Sequence, residues 1–428
     1  MASITQRKNK DGTISYRVLV SLGYDDLGNK IQKTTTFKPT SQAPTKAKKE
    51  AEAFAIDFEK AVKNGTACLS GDKIRFSEFV KIWEDNCLTK NVLAGTLSIR
   101  TKEDYIKIMN YHVLSRIGNM KLSTIKAAHI DNIVMQLLLE GKSPNTIRNI
   151  FNTIHACLEY AFRKDYIPIN PCLKCDPLPK VEQKKVLHTF SEDQAQRFLS
   201  DALTREYDVN IGGRNHNTEK RSVPLQFRVF FTLAFYSGCR RGELVGLNWD
   251  DINSKEKTIR IDQAVSRYSE GLYLKDPKTE AGKRTITLPG DCFELLNEWK
   301  SEQMQICMSL GTAWEGYRGR NYDKNPVFIQ TDSGKRMDVS TPTQKFKKIL
   351  NAYNKTVCEE KQLPVIRLHD LRHTNASHLV ASNTDFETVA RRLGHSRPSF
   401  TLDVYGHALP ENDERASKVL EKMISKAQ

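Results

Sequence analysis

The chain has 428 residues, 27% of them charged and 39% hydrophobic, and carries a formal net charge of +15. That length suggests about three domains, and the positive balance favours a polyanionic partner, nucleic acid before any other. No apolar run approaches membrane-spanning length, residues 1–10 are polar and basic rather than a secretory leader, and nine scattered cysteines fit reduced thiols in a cytoplasm better than a disulfide framework.

Residues 1–65 read as a small sheet followed by a helix. Tyr16, Val18, Val20 and Leu22 alternate with polar and basic positions, a strand pattern bounded by the turn signals Asp11-Gly12 and Leu27-Gly28-Asn29. Residues 30–37 give another strand. Ala47, Ala51, Phe54, Ala55, Phe58 and Val62 fall on one face of a helix that Gly65 ends. Ten Lys/Arg against three Asp in residues 1–49 leave this module basic. A three-stranded sheet with a basic face can lie in a DNA major groove, with Arg7, Arg17 and Lys33 as its candidate contacts.

After a polar linker at 66–73, residues 74–170 read as an all-helical bundle. Phe76, Phe79, Val80 and Trp83 mark its first stripe, and Ser143-Pro144 is an N-cap and N1 pair opening its last long helix. Lys102, Lys107, Arg148, Arg163 and Lys164 are expected on exposed faces, Lys102 and Arg148 being the candidate phosphate contacts. The proline-rich stretch 166–185 reads as an extended interdomain linker, and its Cys172-x-x-Cys175 has no second pair to make a zinc site.

The third domain is expected over 186–428. Residues 212–221, rich in Gly and Asn, read as a loop. Ser237-Gly238-Cys239-Arg240-Arg241-Gly242-Glu243-Leu244 is a compact box whose Glu243 suits an arginine partner better than an acid catalyst. Residues 258–265 alternate as a strand. Residues 272–278 and 284–288 flank a turn at 279–283 and read as a hairpin. Further on, His369, Arg372 and His373 are spaced to share one helix face. Thr384 with Glu387 reads as a capping box, Gly394 as a helix stop, and Ser396 with Pro398 as the start of a short helix reaching Tyr405. Arginine forks match phosphate oxygens, imidazoles move protons near neutral pH, and a tyrosine can serve as a covalent nucleophile once activated.

The set His369-x-x-Arg372, Leu393-Gly394-His395 and Tyr405, with the upstream Gly238-x-Arg240-x-x-Glu243-Leu244 box, resembles the tyrosine recombinases of the phage integrase family. The resemblance covers essentially the whole chain and is most specific over residues 237–405. It implies a fold of three parts: an N-terminal arm-type DNA-binding sheet with its helix, a helical core-binding bundle, and a mainly α catalytic domain with a small sheet. It implies site-specific cleavage and rejoining of DNA through a 3′-phosphotyrosine on Tyr405 and a Holliday junction, to integrate or excise a mobile element. Arg240 and Arg372 are expected to clamp the scissile phosphate, His395 to donate to it, and His369 to handle the Tyr405 proton. Lys278 is expected to protonate the leaving oxygen, with Lys275 and Lys283 as rivals on the same hairpin. No metal or nucleotide cofactor is implied. The implied partners are double-stranded attachment sites of core and arm type, three further copies of the chain in a tetramer on DNA, and an accessory excisionase or DNA-bending protein. The amphipathic stretch 413–426 is expected to dock on a neighbouring protomer, with docking on its own catalytic domain as the alternative. A type IB topoisomerase, which relaxes DNA by the same chemistry, and a non-catalytic DNA-binding relative are the alternatives.

Overall fold

The computed structural model describes residues 2–8, 13–24, 30–41, 43–63, 74–181, 187–212, 217–275, 282–316 and 325–406. The chain divides into two compact units, Met1–Gln183 and Lys184–Gln428. Among the described residues, no helix is long and apolar enough to cross a membrane.

The first unit opens with an antiparallel sheet in the order β1 (Ser3–Lys8), β2 (Ile14–Tyr24), β3 (Lys30–Phe37), followed by α1 (Pro44–Lys63). The period-2 pattern of β2 turns Tyr16, Val18 and Val20 inward, where they are buried with Ala47, Ala51, Ala55, Phe58 and Val62 of α1. Each large apolar side chain buried this way contributes roughly 1.5–3 kcal/mol. Register pairs Arg17 with Thr5, two residues from Arg7, so Arg7 and Arg17 share the sheet face away from α1 and both are exposed. Lys33 pairs in register with Val20, and its side chain lies outside the described residues.

The helical part begins at α2 (Phe76–Trp83), which runs on through a wider turn at Glu84–Thr89 into α3 (Lys90–Leu93). It continues with α4 (Ile99–Ile108), which passes through Met109–Leu114 into α5 (Ser115–Ile117), then α6 (Ala127–Leu139) and α7 (Pro144–Arg163). Phe76, Phe79, Trp83, Met109, Val113, Ile130, Ile147 and Ile154 make the core. Ser143 caps α7 by accepting from the Thr146 amide at 3.2 Å, with Pro144 in its first turn. Two expectations fail here. Lys102 is half-buried, not on an open face: its ammonium lies 3.3 Å from Glu84 and donates to Thr89 Oγ1 at 2.9 Å. The proline-rich stretch is also not a free linker at its start. Ile167, Asn170, Pro171 and Cys172 are buried, because Asn170 donates to Glu159 at 3.0 Å and pins the turn Pro171–Lys174 onto α7.

The second unit contains α8 (Glu192–Arg197), the pair β4 (Glu206–Gly212) and β5 (Asn217–Ser222), α9 (Leu225–Ser237) and α10 (Arg241–Gly246). Of the stretch read as a loop at 212–221, the described residues, 212 and 217–221, are therefore paired antiparallel strand instead. Tyr207 anchors it, buried and donating its hydroxyl to the Ala202 carbonyl. Next come β6 (Ile252–Asn253), β7 (Thr258–Ile261), β8 (Ala264–Tyr268), β9 (Gly271–Lys275) and β10 (Arg284–Thr287). Among the described residues the last two do not pair with each other as the expected hairpin would require. β9 pairs with β8 across the two-residue turn Ser269-Glu270, and β10 pairs with β7, which places Ile286 opposite Ile259 with both buried. Burial of this apolar pair decides the partner, while the more exposed Tyr273 and Leu274 leave β9 to the outer ribbon. Helices α11 (Gly290–Leu310), α12 (Thr341–Thr356), α13 (Asp370–Ala381), α14 (Phe386–Leu393) and α15 (Pro398–Tyr405) complete the unit. Its main core holds Phe198, Phe230, Phe231, Phe328 and Phe346.

Candidate active site

Two helix ends build the first half of the site. Helix α9 stops at Gly238, whose φ of +63° a side chain rarely adopts, and a Cβ there would lie 2.7 Å from Leu393 Cδ2 and 2.8 Å from Asn375 Oδ1. The turn leaves Arg240 in extended conformation as the N-cap of α10. Glu243 reaches back: Arg240 donates its amide at 2.8 Å and its guanidinium at 2.9 Å to the Glu243 carboxylate. Glu243 Oε2, the oxygen that accepts the Arg240 amide, also receives Arg284 Nη2 at 2.8 Å. Burial opposes the charge on Glu243, but Arg284 and then Arg240 outweigh it and hold its pKa below the ordinary carboxylate range. Glu243 is thus a structural partner, as its position suggests. Arg240 keeps 46% of its side chain exposed, so it remains open to a ligand.

Arg372 comes from the first turn of α13 and is 3% exposed. Its Nη1 donates to the Gly238 carbonyl at 2.8 Å, while its Nη2 is buried with no hydrogen-bond partner. A buried guanidinium nitrogen left unpaired costs free energy unless an acceptor arrives. Burial first, then the nearby charge of Arg240, pulls the Arg372 pKa down to about 10, which still leaves a cation at neutral pH. Two arginines close enough to repel, one with an orphaned donor, form an anion site.

His369 is the N-cap of α13, one residue before the helix proper, and its ring lies edge-on to that of His373 at 5.1 Å. It retains solvent exposure, and partial burial, followed by the electrostatic influence of the neighbouring His373 ring and of the Arg372 cation, pushes its pKa down to about 4. Helix α14 is capped by Asp385, which accepts from the Thr388 amide at 2.7 Å, rather than by Thr384. Asn383, at φ 60°, already turns the chain there, and Asp385, in extended conformation, stands immediately before α14. Gly394 ends α14 in the left-handed region, as its place in the sequence implies. His395 follows, its Nδ1 2.8 Å from Thr401 Oγ1. Burial, then the charges of Arg372 and Arg240, lowers its pKa to about 4. Arg397, not Ser396, is the N-cap of α15, with Pro398 at its start.

Helix α15 delivers Tyr405 to these groups. The ring is 1% exposed and belongs to a small core with Ala376, Val380, Val389 and Leu393. Burial pushes its pKa up to about 12, against the opposing pull of Arg372 and Arg240. Its hydroxyl lies 2.7 Å from His373 Nδ1. The proton-handling role expected of His369 is therefore not matched by contact: among the described residues no hydrogen bond joins His369 to Tyr405. The structure thus brings Arg240, His369, Arg372, His395 and Tyr405 of one chain together. Lys278 and the stretch 413–426 lie outside the described residues.

Sequence reasoning missed Arg284. It donates to Glu243, to the Arg392 carbonyl at 2.7 Å and to Cys239 Sγ at 3.4 Å, tying β10 to both halves of the site. Its signal was an arginine at an inward position of an otherwise alternating strand. Among the described residues no group of three or more His, Cys, Asp or Glu is placed to hold a metal ion.

The sequence model of the phage integrase family matches residues 213–412, and that of the phage integrase N-terminal SAM-like domain matches residues 75–138. A XerC-like tyrosine recombinase of Caldanaerobacter subterraneus is 27% identical, covering 97% of this chain and 98% of its own. The ICEBs1 integrase of Bacillus subtilis is 24% identical over 96% of this chain and 97% of its own. Among solved structures, the Tn1549 transposon integrase in complex with transposon right-end DNA superposes with a TM-score of 0.61 at 18% identity, covering 80% of this chain and 98% of that one. A lambda integrase tetramer bound to a Holliday junction gives 0.54 at 15% identity, over 95% and 96%. These relatives are recombinases and integrases, and the topoisomerase alternative gains no support from them. With both family models matched in order along its sequence, the chain belongs to the phage integrase family and is a tyrosine recombinase.

Proposed function

We propose that this chain is the integrase of a mobile element, cutting and rejoining double-stranded attachment sites through a phosphotyrosine at Tyr405 and a Holliday junction. The observation that carries the reading is the orphaned, buried Nη2 of Arg372 beside the open Arg240, with Tyr405 of the same chain hydrogen-bonded to His373, the next residue along α13. Arg240 and Arg372 hold the non-bridging oxygens of the scissile phosphate and offset the charge that builds in the transition state. His395, with Nδ1 occupied by Thr401, presents its other nitrogen to the phosphate, and the neutral His369 adds a second polar group. Tyr405 attacks in line. Lys278, on motif match, protonates the departing 5′ oxygen. The phosphotyrosyl bond keeps the energy of the cleaved phosphodiester, so no nucleotide cofactor is required.

Strand exchange joins two duplexes, so four copies act together on DNA, with the C-terminal stretch docking on a neighbour. The exposed Arg7 and Arg17 contact arm-type sites, and Arg148 contacts core-site phosphates. An accessory excisionase or DNA-bending protein sets direction, and the work is done in the cytoplasm. The test is incubation of the chain with a nicked duplex bearing the junction it makes in cells, recovered by sequencing. A denaturant-resistant protein–DNA adduct supports the reading. Absence of any adduct with bound junction DNA overturns it.

A further inference from the structure

We infer that His373 is a further catalytic residue, the base that takes the Tyr405 proton through Nδ1; this rests on Tyr405 being the nucleophile. The two atoms are 2.7 Å apart, and the rings are held with centroids 5.7 Å apart by α13 and α15. The phenol of Tyr405 keeps its proton at neutral pH, since burial raises its pKa to about 12. It therefore needs an acceptor at the moment of attack. Arg240 and Arg372 stabilise a phenolate but accept no proton. His395 has Nδ1 engaged with Thr401, and His369 makes no hydrogen bond to Tyr405 among the described residues. His373 is the imidazole already in place, on the same helix turn as the arginine of the clamp.

The step balances without a co-reactant. Tyr405 Oη passes its proton to His373 Nδ1 while an oxygen lone pair forms the bond to phosphorus. The bond from phosphorus to the 5′ oxygen breaks, and that oxygen leaves with the electron pair and a proton from the general acid. In rejoining, the 5′ hydroxyl gives its proton back to the general acid as it attacks phosphorus, the bond to Tyr405 Oη breaks, and His373 returns its proton to the departing phenolate. A base on the nucleophile and a separate acid on the leaving group make the two proton transfers experimentally separable.

The test measures single-turnover adduct formation on the nicked junction duplex and on the same duplex with sulfur in place of the leaving 5′ oxygen, which needs no acid. His373→Ala should slow both reactions about 100-fold, with junction binding and thermal melting close to wild type. Added imidazole should restore much of the loss. His373→Asn, whose amide can occupy the Nδ1 position but cannot take a proton, should be as slow as His373→Ala. Wild-type or faster cleavage by either variant overturns the inference, as does full activity of His373→Asn with no effect of imidazole on His373→Ala. Should His373→Ala fold poorly, His373→Asn alone decides the matter by its rate. Tyr405→Phe is the control. An adduct that survives in it overturns the nucleophile itself, whereas an inert Tyr405→Phe beside normal His373 variants removes this inference only.

Discussion

Arg284 and Glu243 form an ion pair inside the protein, 2.8 Å long, with side chains only 4% and 8% exposed. Removing one partner of such a pair leaves a buried charge uncompensated, at a cost of about 3–5 kcal/mol. Arg284→Met should therefore lower stability by that order, with a lower urea midpoint at unchanged slope. Because the same carboxylate holds Arg240, adduct formation should fall even where the variant is still folded. Normal stability and cleavage together would show that the pair does not organise the site.

Gly238 links backbone conformation to the clamp. Its carbonyl receives Arg372, and its positive φ and its neighbours Leu393 and Asn375 leave no room for a Cβ. Gly238→Ala should cost about 1–3 kcal/mol and cut cleavage more than DNA binding. Thermal melting and adduct yield measure the two effects. A variant as stable and active as the parent would contradict the packing described.

The arginines should not tolerate lysine. An ammonium cannot bond two phosphate oxygens with a fixed fork, so Arg240→Lys and Arg372→Lys should each slow cleavage by about 10²-fold or more. In Arg372→Lys the Gly238 carbonyl also loses its guanidinium partner, so this variant should melt lower as well. Single-turnover rates and melting curves on the same preparations test both points.

His395 gives a pH signature. Its folded pKa of about 4 lies below the ordinary 6.5, so between those values the unfolded chain binds a proton that the folded chain does not. Stability should be unaffected by this group above pH about 6.5 and should fall as the pH drops from there towards about 4, by on the order of 1–3 kcal/mol. His395→Asn should flatten that part of the dependence. Melting temperatures of both proteins across this range are the measurement, and an unchanged slope in the variant would assign the acid sensitivity elsewhere.

The N-terminal module predicts a salt effect. Arg7 and Arg17 share one exposed sheet face, and removing a side chain that neutralises one phosphate should reduce the slope of log affinity against log salt by about one. Arg7→Ala and Arg17→Ala should do so on arm-type DNA and leave core-site affinity unchanged. Titrations at several salt concentrations check this, and equal losses on both DNAs would place these residues outside an arm interface.

What was legible in the sequence was local. The His369, Arg372, His395 and Tyr405 spacing carried helices α13, α14 and α15. The β2 alternation and the α1 stripe carried the sheet module, because period and burial coincide there. What failed needed distant partners. The pairing of β10 with β7 depends on Ile259, twenty residues upstream of the turn that suggested a hairpin with β9. Lys102 looked exposed because Glu84 and Thr89, which occupy it, lie on the preceding helical segment. The hydrogen bond between His373 and Tyr405 depends on how α13, α14 and α15 pack around Val389 and Leu393, which no spacing rule supplies.

In the proposed mechanism Tyr405 becomes covalently joined to DNA. The most direct measurement is mass spectrometry of the nuclease-trimmed adduct formed on the nicked junction duplex. The expected result is a nucleotide attached through its 3′ phosphate to the peptide containing Tyr405, and none in Tyr405→Phe. Attachment to any other residue, or an adduct of unchanged yield in Tyr405→Phe, would contradict it.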